Sequence, residues 1–302
     1  MSLADHDVLE TATRDVALAR LSTAFLLDEM AGGVAGLEPL EALLVLAINQ
    51  ANIAPLTRDP DARARYGQLE APARDDERRP VSINAIAASL GLPFETVRRR
   101  IGRLAADGVC AVGVEGVLVP AAFLTSPSYL RSVMSGHLRL RAFYFDLAAN
   151  GLVDELPGSA YALEPDVPIR AAARLLSDYV LRTCEGLMRE AGNVISSLIL
   201  TALLSAALGD AAAPVSVKTI AAQLRLPSET VRRHILQMAE DGLCERRAAG
   251  VAITPEILAR PGLQLLLADN AKHVHRLLAG LAERGVILSW ETPAGQAGLG
   301  AA

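Results

Sequence analysis

The sequence predicts a mainly α-helical protein built from two homologous units, each ending in a small β-hairpin. Three observations carry that expectation. Apolar residues make up 51% of the 302 and aromatics only 4%, so the core must be assembled from Leu, Ala, Val and Ile, a bias that suits packed helices better than a large sheet. The line LPFETVRRRIGRLAADGVC, from Leu92 to Cys110, returns as LPSETVRRHILQMAEDGLC, from Leu226 to Cys244, 134 residues later. After each Asp-Gly the spacing changes from helical to alternating.

The same offset aligns PVSINAIAASLGLP with PVSVKTIAAQLRLP without a gap, and Gly116-Val117 with Gly250-Val251. About half of the positions from Pro80 to Val119 are identical in the second copy. An apolar helix precedes each copy, Pro39 to Leu56 and Asn193 to Leu208. In sequence order the chain divides into a helical segment 1–36, a first unit 37–152, a connecting helical segment 153–192, a second unit 193–290 and a flexible tail 291–302. The first unit holds an insert loop 57–79, a helix, turn and helix over 82–108, a hairpin 109–119 and a long helix 127–150. The second holds the same parts over 216–242, 243–253 and 261–284, without the insert. The insert is rich in charge, Pro and Ala and reads as a flexible loop. It suits either a neutral spacer, the preferred reading, or a mobile basic arm carrying Arg58, Arg63, Arg65, Arg74, Arg78 and Arg79.

Within the first copy, Ser82 suits the cap of a short helix whose Ile83, Ile86, Ala87 and Leu90 share a face. Gly91 supplies a tight turn, and Pro93 suits the start of a second helix because its missing N–H is not needed there. Val97, Ile101 and Leu104 recur at core spacing, which points Glu95 and Arg99 away from the core with Thr96, Arg98 and Arg103 beside them. From Pro93 to Arg103 the helix carries four Arg and one Glu; from Pro227 to Gln237 it carries two Arg and one Glu.

The pattern SxxxIAxxLxLPxETVRRxI, followed by DGxC and a hairpin, resembles the winged helix-turn-helix reader heads of bacterial transcription regulators of the GntR, IclR, Crp and MarR types. The resemblance covers about 40 residues per copy, Pro80 to Val119 and Pro214 to Ile253, and selects no single subfamily. It implies two tandem winged helix-turn-helix units joined by a helical framework, and double-stranded DNA as partner. It also implies that the second helix of each head enters the major groove, where Arg can bond bidentately to guanine. The residues it marks as DNA-binding are Phe94, Thr96, Arg98, Arg99 and Arg103 in the first copy, and Ser228, Thr230, Arg232, Arg233 and Gln237 in the second. The second wing adds Arg246 and Arg247, whereas the first wing, GVEG, has no basic residue and departs from the usual pattern. The faces differ, so a bipartite target with unlike halves is expected. A plasmid- or phage-type replication initiator and a winged-helix scaffold that binds no DNA remain as alternatives.

The net charge of -5 excludes a global basic field, so any polyanion contact must come from local clustering. The N-terminus MSLADHDVLE has no signal-peptide pattern, and neither apolar helix reaches the roughly 20 residues a bilayer requires. No membrane partner is expected. The cysteine count of three, without metal-type spacing, fits a cytoplasmic protein. Cys110 and Cys244 read as small buried hydrophobes, and His273 and His275 point to different sides of one helix, which argues against a metal pair. No catalytic motif appears, so neither enzymatic activity nor a cofactor is expected. The long helices carry apolar stripes, Tyr129, Val133, Gly136, Leu140, Phe143, Leu147 and Leu263, Leu267, Asn270, Val274, Leu277, Leu281. These suit an intramolecular core, the preferred reading, or the seam of a homodimer. The apolar helices could enclose a small-molecule effector, but no residue pattern names one.

Overall fold

A computed structural model describes residues 3–69, 72–160, 167–209 and 213–292. The chain is mainly helical with two small antiparallel hairpins. In order, it forms α1 (Leu3–Gly32), α2 (Pro39–Ile53), α3 (Pro60–Arg65), α4 (Ile83–Ser89) and α5 (Phe94–Ala106). The hairpin β1 (Ala111–Gly113) and β2 (Gly116–Leu118) follows, then α6 (Ala121–Leu124) and α7 (Pro127–Ala149). The second copy runs from α8 (Ile169–Ala191) through α9 (Val194–Ala207), α10 (Val217–Leu224) and α11 (Ser228–Glu240) to β3 (Glu245–Arg247) and β4 (Gly250–Ala252). It ends with α12 (Pro255–Leu258), α13 (Pro261–Glu283) and α14 (Val286–Glu291). The tail expected over 291–302 lies outside the described residues from 293 onward.

Contacts group the chain into two compact units that differ from the sequence-order domains. One gathers Met1–Gly32, Ala142–Asp154 and Arg182–His275, and so carries the second copy; the other gathers Gly33–Arg141, Glu155–Leu181 and Arg276–Ala302, and carries the first. The N-terminal helix is therefore not a segment apart. Phe25, Leu26 and Leu27 of α1 are buried, α1 packs on α9, and the Phe25 ring stacks on Phe143 with centroids 4.2 Å apart. The 23-residue helix α7 contributes residues to both units.

In the unit carrying the first copy, Ser82 accepts from Ala85 N at 3.1 Å and caps α4. Gly91 takes φ of 61° in the turn, and Val97, Ile101 and Leu104 of α5 are buried at 0–1% exposure. Pro93 is the N-cap residue of α5, one position before the helix proper. The hairpin pairs Ala111 with Leu118 and Gly113 with Gly116, and Val81 bridges to Val117. Gly116 must lack a side chain, since a Cβ there would stand 2.5 Å from the Val81 carbonyl oxygen. The second copy repeats the device: Gly250 would place a Cβ 2.6 Å from Val215 O, and Val215 bridges to Val251.

The insert is not a free loop. Asp59 caps α3 by accepting from Ala62 N at 2.8 Å. Tyr66 and Ala73 pack with Ile53, Leu56 and Ala62, and the Tyr66 hydroxyl donates to Glu77 Oε1 at 2.7 Å. Arg78 is 4% exposed, donates to Val119 O at 2.7 Å and pairs with Asp75. Part of the charge that suggested a solvated loop is paired locally, Arg74 with Asp76 and Arg78 with Asp75. Asn52, wholly buried, fastens α2 to the hairpin: its amide donates to Arg79 O at 2.8 Å and Val117 O at 3.1 Å, and its oxygen accepts from Val119 N at 3.0 Å.

Candidate nucleic-acid interface

α5 and α11 share one design. Their apolar side is buried, through Val97, Ile101 and Leu104 in the first copy and Val231, Ile235 and Met238 in the second. Everything cationic is left on the other side. Phe94 is 47% exposed; Arg98, Arg99, Arg103, Ser228, Arg232, Arg233 and Gln237 are exposed, and Thr96 and Thr230 half-buried. The candidate residues of each copy thus lie together on one solvent-facing helix surface.

The electrostatics divide the arginines into kinds. Arg98 donates from Nε and Nη2 to the Glu95 carboxylate at 2.9 and 2.6 Å, and Arg232 does the same to Glu229 at 2.9 and 2.6 Å. Those bonds hold both carboxyls below their usual range and raise both guanidinium pKa values. The pairs are open to solvent, with both arginine side chains 57% exposed, and so contribute little to stability. Arg99 and Arg233 have no ion pair among the described residues. They are the cations each helix offers outward.

The first copy holds its other arginines back. Arg100 pairs with Glu38 and, at 3.1 Å, with Glu41 of α2, and Arg103 reaches Glu41 at 3.2 Å. The local charge presented by α5 is therefore smaller than the count of four arginines suggests. In the second copy His234 replaces Arg100, and its Nδ1 meets Ser196 Oγ of α9 at 2.9 Å. Burial, helped by Arg233, lowers the His234 pKa. Gln237 donates to Asp241 at 3.2 Å.

The hairpins differ as well. On β3, Arg246 has no ion pair among the described residues, while Arg247 meets Glu245 at 3.0 Å. The first hairpin instead exposes Val112 at 52% and Val114 fully.

One residue that the sequence pattern did not single out belongs with the second copy. Arg225 stands where the first copy has Gly91, and it takes a left-handed φ of 54°. A side chain there carries a conformational cost that glycine avoids, yet the position carries an exposed cation in the turn leading to α11. The gapless alignment of the two copies already sets this arginine against Gly91, a substitution that marks the position.

All three cysteines are buried, and burial pushes the thiols of Cys110 and Cys184 up to about 12 and of Cys244 to about 11. None is poised as a thiolate. Among the described residues no group of His, Cys, Asp and Glu could hold a metal ion, and no single helix is long and apolar enough to cross a membrane. Comparison of the chain with protein-family models, curated proteins and solved structures returns no match.

Proposed function

We propose that the protein is a sequence-specific DNA-binding transcription regulator, with two tandem winged helix-turn-helix heads that present α5 and α11 to unlike halves of a bipartite site. The observation that carries this reading is the repeated unpaired arginine. In a chain of net charge -5, both helices turn an outward cation, Arg99 or Arg233, to solvent beside a second that is held only in an exposed pair. A guanidinium in that state can exchange a carboxylate for a phosphate or a guanine edge at small cost. Arg246 and Arg225 would add phosphate contacts in the second head. Selection from a randomised duplex library tests the proposal. It should enrich two dissimilar short motifs at fixed spacing; enrichment of no sequence, together with no duplex retained at low salt, would refute it.

A second reading applies to the first head alone. Its wing exposes Val112 and Val114 and its helix exposes Phe94, while Arg100 and Arg103 are engaged by Glu38 and Glu41. These features favour a scaffold role in which that head docks a protein. Under this reading Arg99→Ala leaves DNA affinity unchanged while Arg233→Ala lowers it.

A further inference from the structure

One edge of the first hairpin is open. Val117 donates from N to Val81 O at 2.8 Å and accepts from Val81 N at 3.0 Å. In the ladder the same Val117 faces Val112. A strand residue directs its N–H and C=O to one side, so cross-strand pairs alternate between those that exchange hydrogen bonds and those that do not. Val117 spends both groups on Val81, and both main-chain groups of Val112 therefore point away from β2, to the outside of the hairpin. Residues 111–115 are exposed throughout. Among the described residues no hydrogen bond reaches the Val112 main chain.

The second copy has the same edge and guards it. Val251 exchanges bonds with Val215 at 2.9 and 2.8 Å and faces Arg246, so Arg246 is the outward residue of β3. Its neighbours on the strand are Glu245 and Arg247. Charged side chains are one of the ways an open edge is kept from pairing with another strand. At the equivalent positions β1 carries Ala111, Val112 and Gly113. Val112 is 52% exposed, and Val114 of the adjoining turn is fully so. The edge that offers its main chain in the first copy is thus uncharged and apolar.

We infer that the β1 edge is an interface between two copies of this chain, in which Val112 pairs antiparallel with the partner's Val112 across a two-fold axis. The edge is complementary to itself: each Val112 N–H donates to the other's C=O, which makes a hydrogen-bonded antiparallel pair. Two β-branched side chains then face one another, a favourable cross-strand pair. Glu115 lies three residues from the axis, so the two Glu115 carboxylates stand about 20 Å apart, well beyond the ~8 Å over which charges act in physiological salt. β3 offers no such pairing, because Arg246 would face the partner's Arg246. A second copy suits this edge better than a flexible peptide does. Both strands are already formed, so little ordering entropy opposes the pairing, and an uncharged edge has nothing with which to select a foreign sequence by charge. Three residues bury less than the about 1,200 Å² of a stable interface, so the association is weak and depends on concentration. The inference stands whether or not either copy reads DNA.

Sedimentation velocity of the full-length protein from about 10 µM to about 1 mM, with amide hydrogen exchange read at the same concentrations, is the test. The parent should pass from monomer to dimer, and the Val112 amide should exchange more slowly as the dimer forms while the Arg246 amide does not change. Val112→Lys gives β1 a charge where β3 carries one and should weaken the association about 10-fold. Val16→Lys, at an apolar residue of α1 that is 57% exposed, should associate as the parent does. Should Val112→Lys fail to fold, the concentration dependence of the Val112 amide in the parent still decides. A monomer at every concentration, which would leave the edge to an extended segment of another protein, overturns the inference. So does a dimer that forms with the Val112 amide unprotected, that keeps its strength in folded Val112→Lys, or that Val16→Lys weakens as much.

Discussion

Converting Arg99 and Arg233 together to alanine isolates the cations that α5 and α11 expose without an ion pair among the described residues. Each phosphate neutralised by a side chain contributes about 0.9 to the slope of log K against log salt on duplex DNA. If both arginines rest on phosphate, the double variant loses about 1.8 from that slope. If they read guanine instead, affinity falls roughly tenfold or more for each and preference relaxes at one position of each half-site. Arg98→Ala/Arg232→Ala must behave differently. Those guanidiniums already face Glu95 and Glu229 at 2.6 Å, so each removes a locally neutral pair and leaves a lone carboxylate; the slope changes less although affinity drops. The converse variant, Glu95→Gln/Glu229→Gln, frees two guanidiniums and should bind more tightly with a steeper slope. Fluorescence anisotropy of a labelled duplex over a salt series reads all three. An unchanged slope and affinity in the Arg99/Arg233 variant, or no tightening in the glutamine variant, would refute the assignment of these helices to DNA.

Three further outcomes follow from particular contacts. Burial, with Arg141 nearby, holds His137 down to about 4 from 6.5, and its Nε2 accepts from Trp290 Nε1 at 3.3 Å. The folded state keeps the ring neutral while the unfolded chain protonates it, so stability is full above pH 6.5 and falls by roughly 3 kcal/mol as pH drops towards 4; denaturant melts across that window should show a shallower loss in His137→Phe. Asn52→Ala leaves the Val119 N–H without its partner and should cost about 2–4 kcal/mol in chemical denaturation, whereas Ala207, at the same position along α9, has no such bond to lose. Arg225→Gly relieves a left-handed residue and should raise stability by about 0.5–1 kcal/mol, with weaker duplex binding in the anisotropy assay if the guanidinium touches DNA.

What the sequence displayed was local. Ser82 and Ser216 cap their helices as their positions suggest, Val97, Ile101 and Leu104 are core, and the hairpins turn at Val114-Glu115 and at Ala248-Ala249. These features depend on neighbours within a few residues, and a 3.6- or 2-residue period records them. What it hid was distant. The Arg100–Glu41 pair joins residues 59 apart, and Arg170 solvated by Leu69 O joins residues 101 apart; no periodicity reports either. The insert was misjudged for the same reason, because composition counts Arg78 and Asp75 as surface charge without showing that one is buried on the other.

The divergence between the two copies is concentrated where each charged helix seats on the apolar helix before it. Glu41 stands three residues after Glu38, the N-cap of α2, and Ser196 three after Asn193, the N-cap of α9. These equivalent positions meet equivalent partners, Arg100 in the first copy and His234 in the second. An ionic latch in one has become a neutral hydrogen bond in the other. The first latch draws Arg103 toward Glu41 as well, which removes charge from the exposed face; the second leaves Arg233 alone and is accompanied by a hairpin that carries Arg246 and Arg247. Duplication by itself would have preserved both the charge and the latch. If both heads bind one duplex, the second should therefore account for most of the salt dependence, through Arg233, Arg246 and Arg225, while the first contributes chiefly through Arg99 and the fit of Phe94 against bases. Wing replacement separates the two roles: Arg246→Ala should flatten the salt slope by about 0.9, whereas Val114→Ser in the first wing should leave the slope untouched and alter only affinity for a partner that meets that apolar tip.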